Sequence, residues 1–182
     1  MKKLMQYKRQ KALVVVAHTD DETIFFGNLL STIEKDSIVA SLSNRNSKAF
    51  EKIVKSFGHV PKIYSCPVNC RDKRKYSESY VIERNRVYAI LSEVVCRNNL
   101  FSIFTHGDEG EYGHPFHIVV NQACKYISKK YDKPLYVRDI EGEFLVENKM
   151  DKIKLLENYE DIRLRSWIKY CKQKERYRLY VG

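Results

Sequence analysis

The chain has 182 residues, of which 43% are hydrophobic and 31% charged, with only seven glycines and four prolines. This composition excludes collagen-like, low-complexity and generically disordered chains, and the length predicts one domain over residues 1–182. The formal net charge is +10 at pH 7, and the basic excess is at the two ends, residues 1–11 and 161–182. If the ends lie together they form a basic patch for phosphate-bearing partners, whereas the simpler interpretation is a solvated surface.

Short apolar runs alternate with amphipathic segments along the chain. In chain order, the predicted strands are residues 11–18, 37–43, 62–65, 100–105, 134–140 and a last short one within 176–182. The predicted helices are residues 24–35, 48–57, 80–97, 114–130 and one or two within 149–172. Residues 68–79 are predicted to form a loop that includes the basic segment Cys70–Tyr76. Strands alternating with helices predict an α/β fold with a mainly parallel sheet.

Two features bear on the cellular compartment. No run approaches the roughly 18 apolar residues of a membrane-spanning helix, and the N-terminus has no apolar signal region, so we expect no stable membrane insertion and no secretion. The five cysteines are odd in number, widely spread and without a C-x-x-C pair. Such cysteines are typical of free thiols in a reducing cytosol, which predicts a cytoplasmic location. The oligomeric state is left open.

Two polar clusters follow predicted strands. His18-Thr19-Asp20-Asp21-Glu22 comes after the first strand, and residues 106–117 come after the 100–105 strand. Ligands of parallel α/β sheets bind beyond the carboxyl ends of the strands, where the strand order reverses, so we expect both clusters at one rim. Together they hold four of the five histidines. The fifth, His59, is interpreted as structural or surface.

These residue types suit metal-assisted hydrolysis. Catalytic zinc commonly takes three His, Asp or Glu ligands and keeps one position for water, whose proton a free carboxylate can accept. The adjacent Asp20 and Asp21 can point in different directions, so that one binds metal and the other faces water. His114 and His117, three residues apart at a helix start, can face the same side, one as a ligand and one as an oxyanion-stabilising imidazolium. Each motif alone is weak, since a loop with three acids is usually solvated surface.

With both motifs in view, the sequence resembles the LmbE-like zinc N-deacetylases, a superfamily that includes the N-acetylglucosaminyl-phosphatidylinositol de-N-acetylases (PIG-L). The family motif A-H-P-D-D-E corresponds to Ala17–Glu22, and G-x-Y-G-H-P-D-H corresponds to Gly110–His117. Phe104-Thr105-His106 resembles the strand end before the second motif. A less specific C-terminal pattern of Lys, Leu and Tyr is similar to Lys152–Tyr159. The resemblance covers about residues 12–160.

The resemblance implies a Rossmann-like fold with helices on both faces, and removal of acetyl groups from N-acetylated amino sugars. The substrate would be similar to N-acetylglucosamine, and the basic segments favour a phosphate- or nucleotide-linked form. The cofactor would be Zn²⁺, with another divalent transition metal possible. The implied roles are metal ligation by His18, Asp21 and His117, general base catalysis by Asp20, oxyanion stabilisation by His114 and Tyr112, and substrate contact by Asn44 and Arg45.

Two departures from the family motifs matter. Thr19 replaces the family proline, which alters the turn and removes no ligand. Phe116 replaces the aspartate of H-P-D-H, which in the family can orient the first histidine and raise its pKa. We therefore expect His114 to be less often protonated, unless Asp108, Glu109 or Glu111 takes over that role.

Three other interpretations stay open. The chain could be a family-like scaffold that has lost catalysis through Phe116, or a metal hydrolase of another amide or ester. It could also be a nucleic-acid-binding protein, because tyrosines alternate with Arg and Lys over residues 169–180. No recognised nucleic-acid motif accompanies those residues, so we expect no nucleic-acid partner.

Overall fold

One seven-stranded sheet organises the residues that the structure, a computed structural model, describes: 10–66, 78–147, 149–159 and 164–181. Residues 1–9 of the basic N-terminal segment and the basic loop Cys70–Tyr76 lie outside the described residues. In chain order the strands are β1 (Ala12–Val16), β2 (Ile38–Ser41), β3 (Val60–Ile63), β4 (Ser102–Thr105), β5 (Leu135–Arg138), β6 (Phe144–Val146) and β7 (Glu175–Tyr180).

The strands lie in the order β3-β2-β1-β4-β5-β7-β6, and the first five are parallel. The mainly parallel α/β sheet predicted from the sequence is therefore confirmed. The last strand, β7, runs antiparallel between β5 and β6. Strand β6 was not predicted, because its three residues are too few to show a period. The chain moves from β1 outward through β2 and β3 and returns to β4 on the other side of β1, so the strand order reverses between β1 and β4.

Helices cover both faces of the sheet. In chain order they are α1 (Asp21–Leu30), α2 (Ser47–Ser56), α3 (Glu78–Arg97), α4 (Gly110–Gly113), α5 (Pro115–Tyr131), α6 (Lys152–Leu156) and α7 (Leu164–Cys171). Helices α1, α2, α6 and α7 pack on one face, and α3 and α5 pack on the other. None of the described helices is long and apolar enough to cross a membrane.

The core lies in two layers because side chains alternate along a strand. In β1, Val14 and Val16 face one layer, whereas Leu13 and Val15 face the other. All four of these side chains are fully buried, as expected for a central parallel strand. The long apolar run of the sequence thus reflects burial on both sides of the sheet.

A buried ion pair fastens α1 to α6 and β7. Lys152 Nζ lies 2.5 Å from Glu175 Oε1 and donates to the Ile24 carbonyl at 2.9 Å. The Glu175 carboxylate also accepts the amides of Asn28 and Leu29, each at 2.8 Å. Lys152 belongs to the C-terminal Lys, Leu and Tyr pattern of the sequence. A residue of that pattern therefore stabilises α1, the helix that follows the first motif.

The end of the same pattern contacts the motif directly. The Tyr159 hydroxyl donates a hydrogen bond to the Glu22 carboxyl oxygen Oε1, and both side chains are buried. Burial raises the pKa of Glu22 well above its usual range, which favours the neutral form of the carboxyl group. Glu22 is therefore a structural group of the motif.

Two sequence expectations about single residues concern packing. His59 is buried, and its Nε2–H donates to the Leu30 carbonyl at 2.7 Å, which confirms a structural role. Tyr177, in the segment that resembled a basic aromatic array, is fully buried, and Tyr170 packs against the core. This packing argues against a nucleic-acid surface formed by the tyrosines of that segment.

Candidate active site

The first motif lies on the turn between β1 and α1. Asp20 is the N-cap residue, and its backbone carbonyl accepts the amides of Thr23 and Ile24 at 3.1 Å. Asp21 opens the helix, where a carboxylate is favoured by the helix dipole. Its Oδ2 folds back to accept the His18 amide at 2.8 Å. The turn therefore fixes the Asp21 carboxylate beside the His18 ring.

The second motif lies between β4 and α5. His114 is the N-cap residue of α5, its Nδ1 accepts the Phe116 amide at 3.3 Å, and Pro115 occupies the first turn. His117 faces inward from the same turn and is fully buried. Glu111 has a φ of 58°, a left-handed conformation that is costly for a residue with a side chain. This strained backbone turns the Glu111 carboxylate toward the sheet.

Three ligand-type atoms from the two motifs meet in one triangle. His18 Nδ1 lies 3.1 Å from Asp21 Oδ2 and 3.3 Å from His117 Nε2, and the latter two atoms are 3.2 Å apart. Tetrahedral zinc with bonds of about 2.0–2.1 Å requires ligand atoms about 3.3 Å apart. When neither imidazole nitrogen carries a proton, the lone pairs of the three atoms face one another, and a cation among them would stabilise the arrangement. The arrangement fits a divalent metal ion held by the three residues that the resemblance implies.

Glu111 was one of three acids that could have supported His114, and its hydrogen bonds go to other residues. Its Oε2 accepts from His117 Nδ1 at 2.6 Å and from His106 Nδ1 at 3.0 Å, and its Oε1 accepts the Gly107 amide at 2.9 Å. The proton on His117 Nδ1 leaves the Nε2 lone pair free for the triangle. A carboxylate behind an imidazole ligand orients the ring and raises its basicity.

His106 was left without a role and proves to be a buried support. Together with Asp21 and His117 it forms one of three sets of potential ligand atoms found among the described residues, each set within 4.8 Å; the other two sets contain His18. The Nε2 atom of His106, however, accepts the Ala17 amide at 3.0 Å, and its Nδ1–H donates to Glu111. Because both ring nitrogens of His106 are engaged, it is less free than His18 to bind a metal ion. Only the position after a strand and before the second motif could have suggested this residue.

The two adjacent aspartates have opposite electrostatic environments. Burial disfavours the charged form of Asp21, but His117 and His18 outweigh it and hold the pKa of Asp21 well below its usual value. Burial, with the charge of Asp21, raises the pKa of Asp20 to about 6. Asp21 is thus suited to remain ionised, and Asp20 is the more basic carboxylate, close to the pKa that favours proton transfer near neutral pH.

His114 does not become an imidazolium in this environment. Burial and the neighbouring His117 and His18 lower the pKa of His114 to about 4. None of the three acids that could have replaced the family aspartate compensates: Asp108 pairs with Lys125 and Arg178, Glu109 is exposed, and Glu111 binds His106 and His117. Since His114 Nδ1 accepts the Phe116 amide, the neutral ring carries its proton on Nε2 and can donate there.

A cavity of about 490 Å³ opens over the triangle. It is lined by His18, Thr19, Asp20, Asp21, Ser43, Arg45, Asn46, Tyr112, His114, Ser166 and Trp167. Of the two residues predicted to contact substrate, Arg45 lines the cavity, whereas Asn44 is exposed and is not among the lining residues. The Thr19 hydroxyl donates to the Arg45 carbonyl and joins the two loops at the position where the family has proline. Ser166 and Trp167 were not predicted for the site.

Solved structures of deacetylases share this fold. The zinc-inhibited form of teicoplanin deacetylase Orf2 aligns with a TM-score of 0.62 at 12% identity, over 82% of this chain and 83% of that one. A deacetylase–teicoplanin complex aligns with a TM-score of 0.68 at 11% identity, over 93% of this chain and 98% of that one. The A40926 pseudoaglycone deacetylase Dbv21 gives 0.61 at 11% identity, over 83% and 81%.

Comparisons of the amino-acid sequence did not find this structural similarity. No protein-family model matches the chain, and no curated protein matches it. At 11–12% identity the likeness establishes the architecture, a mixed sheet with helices on both faces that is shared with these deacetylases. What the chain does follows from the chemistry of its own site.

Proposed function

We propose that the chain is a metal-dependent hydrolase that removes the acetyl group from an N-acetylated amino sugar. The observation that carries this proposal is the triangle of His18, Asp21 and His117 at the floor of a cavity that Asp20, His114 and Tyr112 also line. A ligand set, a basic carboxylate and hydrogen-bond donors thus face one space. The shared fold of three deacetylase structures supports the same reaction class.

His18, Asp21 and His117 would hold the metal ion, since two imidazole nitrogens and one carboxylate oxygen form a common ligand set for zinc and similar ions. When bound, such an ion activates a water molecule and polarises the amide carbonyl. Glu111 keeps the His117 ring in the required orientation and tautomer. Zinc is the proposed ion, but one neighbour is described in a zinc-inhibited form, so other divalent ions belong in the test.

Asp20 would take a proton from the attacking water as the water oxygen bonds to the amide carbon. His114, through Nε2–H, would donate a hydrogen bond to the developing oxyanion, and Tyr112 would do the same through its hydroxyl. Burial raises the pKa of Tyr112, so the hydroxyl keeps its proton. The proton on Asp20 would pass to the leaving nitrogen as the carbon–nitrogen bond breaks. The products are acetate and a free amine.

The proposed substrate is an amino sugar similar to N-acetylglucosamine. The deacetylase neighbours support an acylated substrate, and one of them was solved with teicoplanin. A phosphate- or nucleotide-linked form follows from the basic segments of the chain, and Arg45 is the basic residue that lines the cavity. Substrate contact by Asn44 stays a prediction from the sequence.

The first experiment measures the metal content of the purified protein by elemental mass spectrometry, before and after loading with Zn²⁺, Co²⁺ or Fe²⁺. We expect about one ion per chain, as for one three-residue catalytic site. His117→Ala and the less buried His18→Ala should both lose the ion. Full occupancy in both variants would refute the ligand set, and no ion in the loaded wild type would refute the proposed function.

The second experiment measures amine release from N-acetylglucosamine, its 1-phosphate and its nucleotide diphosphate conjugate. Asp20→Asn should retain the metal and lose activity by about 10²–10⁴-fold, the usual contribution of a general base. Asp36→Asn is the matched control, since Asp36 is exposed and its positive φ suits asparagine. Near-normal turnover by Asp20→Asn would refute the role of Asp20 as base.

A further inference from the structure

An aromatic wall lines the cavity next to the candidate metal site. Tyr112 lies next to the triangle, with its ring centroid 5.3 Å from that of His117. Trp167, on α7, continues the wall with a centroid 5.5 Å from that of Tyr112. Tyr170 backs both rings at 5.6 and 5.8 Å. Two elements that are far apart in the sequence thus build one continuous aromatic surface.

Other residues that line the cavity are polar. Ser43, Arg45 and Asn46 line it from the loop after β2, and the Thr19 hydroxyl ties this loop to the first motif. Trp167 is only partly buried, so its ring packs against the core and still borders the cavity. The cavity therefore combines an aromatic surface with hydrogen-bonding side chains, beside residues of the candidate metal site.

A pyranose ring matches this combination of aromatic and hydrogen-bonding residues. Its axial C–H groups form an apolar face, and its hydroxyl groups radiate from the edge. An aromatic face attracts polarised C–H groups and buries the apolar face, while the hydroxyl groups need hydrogen-bond partners when they leave water. A sugar ring that lies against the wall can direct its acetamido group to the candidate metal site and its hydroxyl groups to the polar residues.

We propose that Trp167 is the stacking platform for the sugar ring of the substrate and that it selects acetamido sugars over simple acetamides. This inference rests on the proposed function, because it concerns the ligand of the same cavity. Helix α7 then contributes a residue that determines specificity, and Tyr112 joins the platform to the catalytic groups.

Trp167 is the only tryptophan of the chain, so its fluorescence reports directly on the platform. The wild-type protein is titrated with N-acetylglucosamine and with N-acetylglucosamine 1-phosphate, and emission is read immediately after mixing. The controls are glucose, which lacks the acetamide, and N-acetylethanolamine, which lacks the ring. We expect a saturable change in the emission of Trp167 with the two acetamido sugars and none with N-acetylethanolamine.

The matched kinetic test uses Trp167→Ala and Trp167→Phe. For the best acetamido sugar, we expect Trp167→Ala to lower kcat/KM by about 10-fold or more, mainly through KM, because aromatic contact and apolar burial are both lost. Trp167→Phe keeps an aromatic face and should stay within about 3-fold of the wild type. Tyr126→Ala is the control, since that ring is 51% exposed on α5 and is not among the lining residues of the cavity.

The outcomes separate this inference from the proposed function. Turnover of an acetamido sugar with no change in Trp167 emission, or with equal kcat/KM in Trp167→Ala, overturns the platform and leaves the proposed function intact. A saturable emission change without amine release supports the platform and refutes the deacetylase. The absence of both emission change and turnover overturns both. An equal emission change with N-acetylethanolamine overturns the selectivity.

Discussion

Glu111→Gln tests whether metal binding depends on a carboxylate that contacts the proposed ligand His117 but would not bind the metal ion itself. Oε2 of Glu111 accepts N–H groups from His117 and His106 at 2.6 and 3.0 Å. Glutamine has the same size but only one acceptor oxygen. If that oxygen takes the place of Oε2, the NH₂ group faces the Gly107 amide and the imidazoles keep only a neutral acceptor; if it takes the place of Oε1, both imidazoles lose their acceptor. In either orientation the proton of His117 is held less firmly on Nδ1.

The size of the effect follows from how many ligands the carboxylate orients. Loss of the hydrogen-bond partner behind one metal-binding imidazole typically weakens metal affinity about 10–100-fold, or roughly 1.4–2.7 kcal/mol. Glu111 contacts the proposed ligand His117 and also its stacked neighbour His106, whose ring centroid is 3.9 Å from that of His117. We therefore expect the upper half of that range for Glu111→Gln.

The assay is competition for Zn²⁺ and Co²⁺ against a chromophoric chelator, with circular dichroism and Tm measured in parallel. Glu109→Gln is the matched control, because Glu109 is a neighbouring exposed acid with no contact to the triangle. It should bind metal as the wild type does. A folded Glu111→Gln protein with wild-type metal affinity would refute the argument that this carboxylate orients His117.

Two further predictions concern stability. Lys152→Met leaves the Glu175 carboxylate charged and buried, which should reduce the free energy of unfolding by about 3–5 kcal/mol and lower Tm by roughly 6–20 °C. Burial lowers the pKa of His59, although the Leu30 carbonyl and Asp36 oppose it, so the unfolded state binds a proton more readily than the folded state. Stability from His59 is then complete above pH about 6.5 and is lost as pH falls below it, by at most about 1.4 kcal/mol per unit.

The controls for these two predictions are second variants. Adding Glu175→Gln to Lys152→Met should restore part of the lost stability, since the buried charge is removed; no recovery would mean that the cost is packing alone. For His59, urea unfolding at pH 7.5 and 5.5 is compared between the wild type and His59→Gln. A loss of stability on acidification that is equal in the two proteins would contradict the assigned direction of the pKa.

The parts of the fold that the sequence predicts well are those with local causes. Residues 12–16 are all apolar and mostly β-branched, which favours a strand buried on both faces, and β1 forms there. The 80–97 amphipathic pattern gives α3 over Glu78–Arg97. The residues His18 and Asp21 are three positions apart, so one turn brings them together. The sequence pattern for the antiparallel edge of the sheet is weaker, since β6 has three residues and its pairing partner β7 lies about 30 residues away.

The sequence by itself determined the α/β class and the two motifs, because each depends on residues that are neighbours in the chain, and through the resemblance it predicted the ligand set. Only the tertiary structure decided which residue supports His117 and which residues line the cavity over the predicted ligands. Glu111 reaches His117 instead of His114 because its backbone adopts a left-handed conformation, and Trp167 reaches the cavity because α7 packs against α1 and α6. Contacts between distant segments depend on packing, which local patterns of the sequence do not encode.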